Sequence, residues 1–234
     1  MDIFFCKINK NQSNLISKRI LTKRAIQRLK KTTHPKKKLH IMYSDLLKQY
    51  VLFKKQRMKY PLSITYNMRG KPLLSKGFFN ISNCNEWVMC TYSNNAAVGA
   101  DIEEYKRCNH ELAQFFFTQE ELKHLLTLSQ REQINFFTDA WTFKESYVKC
   151  KGISLFDIKN NIHSPLERNY FIKDDTEIEG ELFHYVRGVI ENYSWCLLSE
   201  KNFTNYNIKL VCYSQIIETL TNIYRGNYAE HLHD

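Results

Sequence analysis

The stretch from Val98 to Gly152 constrains this chain more than any other. It opens Val98-Gly99-Ala100-Asp101-Ile102-Glu103 and closes Trp141-Thr142-Phe143-Lys144-Glu145-Ser146-Tyr147-Val148-Lys149. The first part reads as a strand end, so Asp101 and Glu103, two apart, project from one face. In the second part Trp141, Glu145 and Lys149 recur every four residues, the spacing of one helix face. Asp101 and Glu103 stand 44 and 42 residues before Glu145, so only folding can join them. If strand end meets helix face, three carboxylates and an ammonium converge, a donor set suited to a hard divalent cation holding a phosphate. Taken singly, the same acids would pass as surface charges. Lys144, Glu145 and Lys149 would then be an ordinary helical ion-pair cluster worth about 0.3–0.5 kcal/mol.

The rest of the chain bounds what surrounds this stretch. With 234 residues, 43% of them hydrophobic and 14% aromatic, it can build one large or two small cores. No apolar run approaches the roughly 18–20 residues of a membrane span, and the start Met1-Asp2-Ile3-Phe4-Phe5-Cys6-Lys7 lacks the pattern of a signal peptide. Seven cysteines, odd in number and without a Cys-x-x-Cys pair, suggest neither a disulfide framework nor a zinc site. A reducing cytoplasm is the expected location. The net charge of +10 is unevenly spread: residues 1–80 hold 20 Lys/Arg against only Asp2 and Asp45, leaving 14 against 22 acids in the remainder. A basic first half suggests an anionic partner: nucleic acid, a polyphosphate cofactor or an acidic protein.

In order, residues 2–8 read as a strand, and 14–31 carry apolar residues at helical spacing up to His34-Pro35. A second helix is expected over 39–53. Strands follow at 62–66, 78–82, 87–92 and 96–102. Ser93-Asn94-Asn95 signals a hairpin joining the last two. Thr118-Gln119-Glu120-Glu121 and Ser129-Gln130-Arg131-Glu132 match capping boxes that open two helices, the second ended by Gly152. Strands at 182–186, 193–198 and 208–212 are expected to be antiparallel, with a closing helix over 214–224. The fold class is therefore α+β, mainly antiparallel sheets with packed helices. It divides into a basic half, 1–95, and a half carrying the acidic site, 96–234.

These residues resemble the paired signature of the surfactin-type (Sfp-type) 4′-phosphopantetheinyl transferases: Gly-x-Asp-x-Glu, about forty residues, then Trp-x-x-Lys-Glu-x-x-x-Lys. Gly70-Lys71-Pro72, Phe79-Asn80-Ile81-Ser82-Asn83 and Phe116-Phe117-Thr118 are similar to further motifs of that family, in the same order. The resemblance spans 70–152. It implies two similar α/β halves in a pseudo-twofold arrangement and a monomer. It also implies transfer of the phosphopantetheine arm of coenzyme A to a serine of an acidic acyl or peptidyl carrier protein, met transiently, with release of adenosine 3′,5′-bisphosphate.

The same resemblance implies roles for individual residues. Asp101, Glu103 and Glu145 would hold Mg²⁺, with Mn²⁺ as the other candidate. Glu145, directly or through a water, would take the serine proton, and Lys149 would stabilise the leaving group. Coenzyme A would be met by Lys71, Ser82, Asn83, Lys144 and Lys149, and by Lys37, Lys38 and His40 near the start of the second helix. Lys144 is alternatively a contact to the carrier. Asn83 stands where the family has His and Cys84 where it commonly has Ser; an amide cannot become cationic, which weakens a grip on the 3′-phosphate. Basic residues around Lys30-Lys31 and Lys36 to Lys38 would steer the acidic carrier. Two other readings are a nucleic-acid-binding module and a coenzyme-binding relative without turnover. The first lacks any nucleic-acid motif or interleaved aromatic platform. Retention of all four charged residues of the signature argues against the second.

Overall fold

The computed structural model describes residues 1–11, 18–56, 64–165 and 171–230. The elements run β1 (Asp2–Lys7), a 3-10 turn (Lys18–Ile20), α1 (Lys23–Lys30), α2 (Pro35–Gln56), β2 (Thr65–Tyr66), β3 (Pro72–Leu73), β4 (Phe78–Cys84), β5 (Trp87–Ser93) and β6 (Val98–Glu104). Then come α3 (His110–Phe116), α4 (Gln119–Thr127), α5 (Gln130–Lys151), α6 (Leu155–Ile158), β7 (Phe171–Ile178), β8 (Glu181–Ile190), β9 (Tyr193–Ser199), β10 (Asn207–Leu210) and α7 (Tyr213–Glu230). Two four-stranded sheets result, in the orders β10-β1-β5-β4 and β6-β9-β8-β7, with β2 and β3 as a separate ribbon.

The sheets pack between helices, and the strand pattern shows why. Along β1, Phe4 and Cys6 enter the core under α2 and α7, while Ile3 and Phe5 meet Trp195 and Leu197 of β9. A strand buried on both faces has no polar alternation, which explains the unbroken Ile3-Phe4-Phe5-Cys6 run. In β9, Cys196 and Leu198 turn the other way, onto Phe143 and Tyr147 of α5. Each sheet thus has its long helix outside and the other sheet inside. The order strand, 22-residue helix, antiparallel hairpin occurs twice, as β1-α2-β4-β5 and as β6-α5-β8-β9.

The α+β class with mainly antiparallel sheets is as expected, and both capping boxes are formed, at Thr118 and Ser129. Gly152 ends α5 with φ +72°. Three expectations are corrected. First, β5 and β6 do not form a hairpin: β5 already has β1 and β4 on its two edges, so β6 crosses to the second sheet and pairs with β9. A turn signal specifies a reversal of the chain, and free edges decide what pairs. Second, β10 is parallel to β1. It arrives from the second half of the chain, so no short connection dictates its direction. Third, β10 and α7 pack with the first sheet, so the division at 95/96 does not separate two structural halves. The helices begin and end differently too. α2 starts at Pro35, a residue well suited to a first helical turn. The helix expected over 14–31 and the strand over 62–66 lie partly outside the described residues, leaving α1 and Thr65–Tyr66.

Candidate active site

The edge strand of each sheet faces the other: β4 of the first runs beside β6 of the second, and α5 covers β6. Gly99 permits the last of these contacts. A Cβ on Gly99 would stand 1.9 Å from the Ser146 carbonyl oxygen and 2.3 Å from the Cys150 nitrogen, so β6 touches the backbone of α5 directly. The Ser146 hydroxyl, donating to the Cys196 carbonyl at 3.0 Å, ties the same turn of α5 to β9. Along α5 the residues around Trp141, Glu145 and Lys149 are mostly buried, while these three remain partly open. The i, i+4, i+8 face thus looks out at the end of β6.

On that face the sequence-predicted residues come together. Lys149 Nζ lies 2.5 Å from Asp101 Oδ1, 3.3 Å from Ser82 Oγ and 3.7 Å from Glu145 Oε2. Ser82 donates to Asp101 Oδ1 at 2.6 Å, and the Cys84 thiol donates to Glu103 Oε2 at 3.2 Å. Asn80 accepts from the Ala100 N–H at 3.2 Å. Residues 80, 82 and 84 share one face of β4 by its period of two, so one strand face supplies all three contacts to β6.

Burial raises the Glu103 carboxyl, helped by the neighbouring Asp101 and Glu145 charges, up to about 7. Glu145 is raised as well, by burial first, with Lys149 opposing and Asp101 adding. Burial alone would lower Lys149, but Asp101 and Glu145 outweigh it and hold the ammonium above the ordinary lysine value. Three carboxylates around one ammonium leave negative charge in excess. Asp101 is 1% exposed, and its Oδ2 has no hydrogen-bond partner. An orphaned buried carboxylate oxygen among hard oxygen donors fits a divalent cation. Among the described residues no group of three or more His, Cys, Asp or Glu side chains is gathered closely enough to hold a metal ion; Lys149 stands among the acids instead.

The opposite face of β4 lines a second region. Ile81 and Asn83 border an open cleft of about 760 Å³ whose other walls include Arg28, His34, Lys36, Lys37 and His40. A smaller hollow of about 160 Å³ adjoins it and adds Arg24 and Lys48. Asn83 donates to Ser44 Oγ at 3.1 Å, and His40 Nε2 is 2.9 Å from the Asn85 carbonyl. Cleft and acidic cluster are therefore back to back across one strand. Sequence reasoning singled out Lys37, His40 and Asn83, which the cleft brings together, but gave Arg28 and His34 no role. The signal available was helical spacing: positions 37, 40, 41 and 44 form one stripe of α2.

Three predicted contacts are placed elsewhere. Lys144 is fully buried, 2.9 Å from Glu121 Oε2 and bonded to the Ile162 carbonyl, so it meets neither the cleft nor solvent; the expectation of a coenzyme or carrier contact is corrected. A helix turns about 100° per residue, and the step from Glu145 to Lys144 carries the side chain inward. Lys38 is exposed and is not among the residues lining the cleft, being one such step from Lys37. Lys71 directs its ammonium to the Cys150 carbonyl in the last turn of α5, beside Lys149 in sequence but turned onto the helix end.

Comparison with known proteins covers part of this site. Residues 97–209 match the 4′-phosphopantetheinyl transferase superfamily, a span that holds Asp101, Glu103, Glu145 and Lys149 but not the basic cleft. The chain is 38% identical over 91 residues to 4′-phosphopantetheinyl transferase gsp of Aneurinibacillus migulanus, covering 38% of each protein. It is 31% identical over 118 residues to 4′-phosphopantetheinyl transferase Sfp of Bacillus subtilis, covering 49% of this chain and 52% of that one. It is also 36% identical over 90 residues to 4′-phosphopantetheinyl transferase psf-1 of Bacillus pumilus, covering 36% and 38%. The aligned stretch thus spans between 38% and 52% of the length of these relatives. Over this stretch the chain is similar to 4′-phosphopantetheinyl transferases.

Proposed function

We propose that this protein transfers the 4′-phosphopantetheine arm of coenzyme A to a serine of an acyl or peptidyl carrier protein, releasing adenosine 3′,5′-bisphosphate. The observation that carries the reading is the cluster of Asp101, Glu103, Glu145 and Lys149, with Asp101 Oδ2 buried and unpartnered. The repeated order of strand, long helix and hairpin supports a pseudo-twofold relation between the parts that build it.

In this reading Asp101, Glu103 and Glu145 hold Mg²⁺, or Mn²⁺. The bound cation would neutralise charge on the coenzyme's pyrophosphate as the phosphoryl–oxygen bond breaks. The chain's own groups do the rest. Lys149, kept protonated by its acidic neighbours, donates to the departing phosphate oxygens. Ser82 orients Asp101 through its 2.6 Å hydrogen bond. Glu145 receives the carrier serine's proton directly or through a water. Arg28, Lys37 and His40, with the amide of Asn83, meet the nucleotide and its 3′-phosphate in the cleft across β4. The carrier is acidic and binds transiently, drawn by the basic α1–α2 surface at a rate that falls with salt.

Incubating the protein with coenzyme A, Mg²⁺ and a panel of apo-carriers, read by intact mass, tests this directly. Gain of the phosphopantetheine mass on at least one carrier, absent when its acceptor serine is alanine, is the expected result. No mass gain on any carrier, together with salt-sensitive binding to bulk DNA, would favour the nucleic-acid reading instead.

A further inference from the structure

A second cavity, of about 450 Å³, lies between the residues just after β6, the first half of α5 and the β8–β9 hairpin. Its floor is Arg187, Ser194 and Asp139, its wall Tyr105, and its rim Arg131, Asn135 and Asn192. None of these belongs to the acidic cluster or to the basic cleft. The neighbourhood is nevertheless close. Tyr105 follows Glu103 by two residues, about 7 Å along an extended chain. Asp139 precedes Glu145 by six residues, about 9 Å along α5, on a different face.

Arg187 is the informative residue. It is 8% exposed, yet its only hydrogen bond among the described residues is a 3.3 Å contact from Nη1 to the Pro165 carbonyl. No carboxylate among them lies within 4 Å of it as an ion-pair partner. A guanidinium carries five donors, and burying it unpaired is costly unless an anion or water meets it. The acids nearby are committed elsewhere. Asp139 Oδ1 accepts from both the Tyr105 and the Ser194 hydroxyls at 2.6 Å. Glu191, at the rim, is held by Lys7 at 2.7 Å and by the Trp87 indole at 3.3 Å. With Glu191 held by Lys7, the two guanidiniums against the one Asp139 carboxylate leave a single positive charge in excess inside the cavity, beside two carboxamides able to donate.

We infer that this cavity is a binding site for a small oxyanion, a carboxylate or a phosphate, held by Arg187 and Arg131 with Asn135 and Asn192 completing the donor set. A planar guanidinium presents paired donors matched to either group, and Asp139 with Ser194 and Tyr105 forms a polar floor on which a ligand hydroxyl can settle. The site is distinct from the coenzyme cleft and does not depend on the transferase reading. Ligand bound there would stiffen β6 and α5, the two elements that carry Glu103 and Glu145.

The test is a titration of the full chain with inorganic phosphate and, separately, with malonate. Binding is read from the side-chain amide resonances of Asn135 and Asn192 and the Nε resonances of Arg131 and Arg187. The expected result is a saturable shift confined to these groups with at least one probe. Arg131→Gln, an exposed substitution that does not threaten folding, should weaken binding about tenfold or more, and Arg187→Gln likewise. The stronger of the two probes tells phosphate from carboxylate. No saturable shift with either probe overturns the inference, and so does unchanged affinity in folded Arg131→Gln protein.

Discussion

Lys149 Nζ sits 2.5 Å from Asp101 Oδ1, while Asp101 Oδ2 is buried without a partner. One oxygen of a single carboxylate is thus satisfied by an ammonium and the other is left for something the chain does not supply. That asymmetry gives the acidic cluster its chemical direction.

Replacing Glu145 with Gln removes the proposed proton acceptor and one cation donor while keeping shape and hydrogen bonding. Transfer should fall by roughly a thousandfold or more, with the unfolding midpoint near that of the parent. Single-turnover transfer and a thermal melt measure the two. Near-normal turnover would remove Glu145 from the reaction.

Gly99 keeps β6 against α5. Gly99→Ala places a methyl 1.9 Å from the Ser146 carbonyl, a backbone atom that cannot turn aside. Destabilisation of about 3 kcal/mol or more is expected in urea unfolding, because strand and helix must separate. A cost below about 1 kcal/mol would mean the contact is loose.

Glu103 predicts a pH dependence in metal-free protein. Its folded carboxyl is raised from 4.5 to about 7, so between those values the folded state holds a proton that the unfolded state has released. Stability should therefore fall as pH rises through that window and level off above it. Glu103→Gln should flatten the slope. Urea unfolding across the window in chelator is the measurement, and an unchanged slope in the variant would assign the effect elsewhere.

The buried pair of Lys144 and Glu121 answers to a different rule. Lys144→Met alone strands the Glu121 carboxylate at 0% exposure and should cost about 3–5 kcal/mol. Adding Glu121→Gln removes the stranded charge and should recover part of that loss, since the amide can still accept from Ser164. Equal losses in single and double variants would show that the pair is not coupled.

Asn83→His tests the cleft. An imidazole there can carry charge toward the 3′-phosphate, so coenzyme A should bind more tightly, and the gain should grow as pH falls toward 6. Unchanged or weaker affinity in calorimetry would mean that position 83 does not meet the phosphate.

Much of this arrangement was legible in sequence because it rests on local rules. Capping boxes at Thr118 and Ser129, the left-handed Gly152 and the i, i+4 face through Glu145 and Lys149 are set within a few residues. What was illegible depends on competition between distant segments. Asn94-Asn95 announces a reversal, but β6 could not pair with β5 because β1 and β4 already occupied both edges. Lys144 is expected at the site because it stands in the Trp-x-x-Lys-Glu-x-x-x-Lys pattern. Only the packing of α4 shows that Glu121 claims it. The partners of Asp101 also came from afar, since Ser82 reaches it only because the two edge strands lie side by side.

The most direct test of the central claim is Mg²⁺ binding to metal-free protein with coenzyme A present, measured by calorimetry for the parent and for Asp101→Asn. The account predicts one Mg²⁺ site that tightens with coenzyme A and is lost in Asp101→Asn, while the variant remains folded. Coenzyme A affinity that is the same with Mg²⁺ or with chelator, and the same in both proteins, would contradict it.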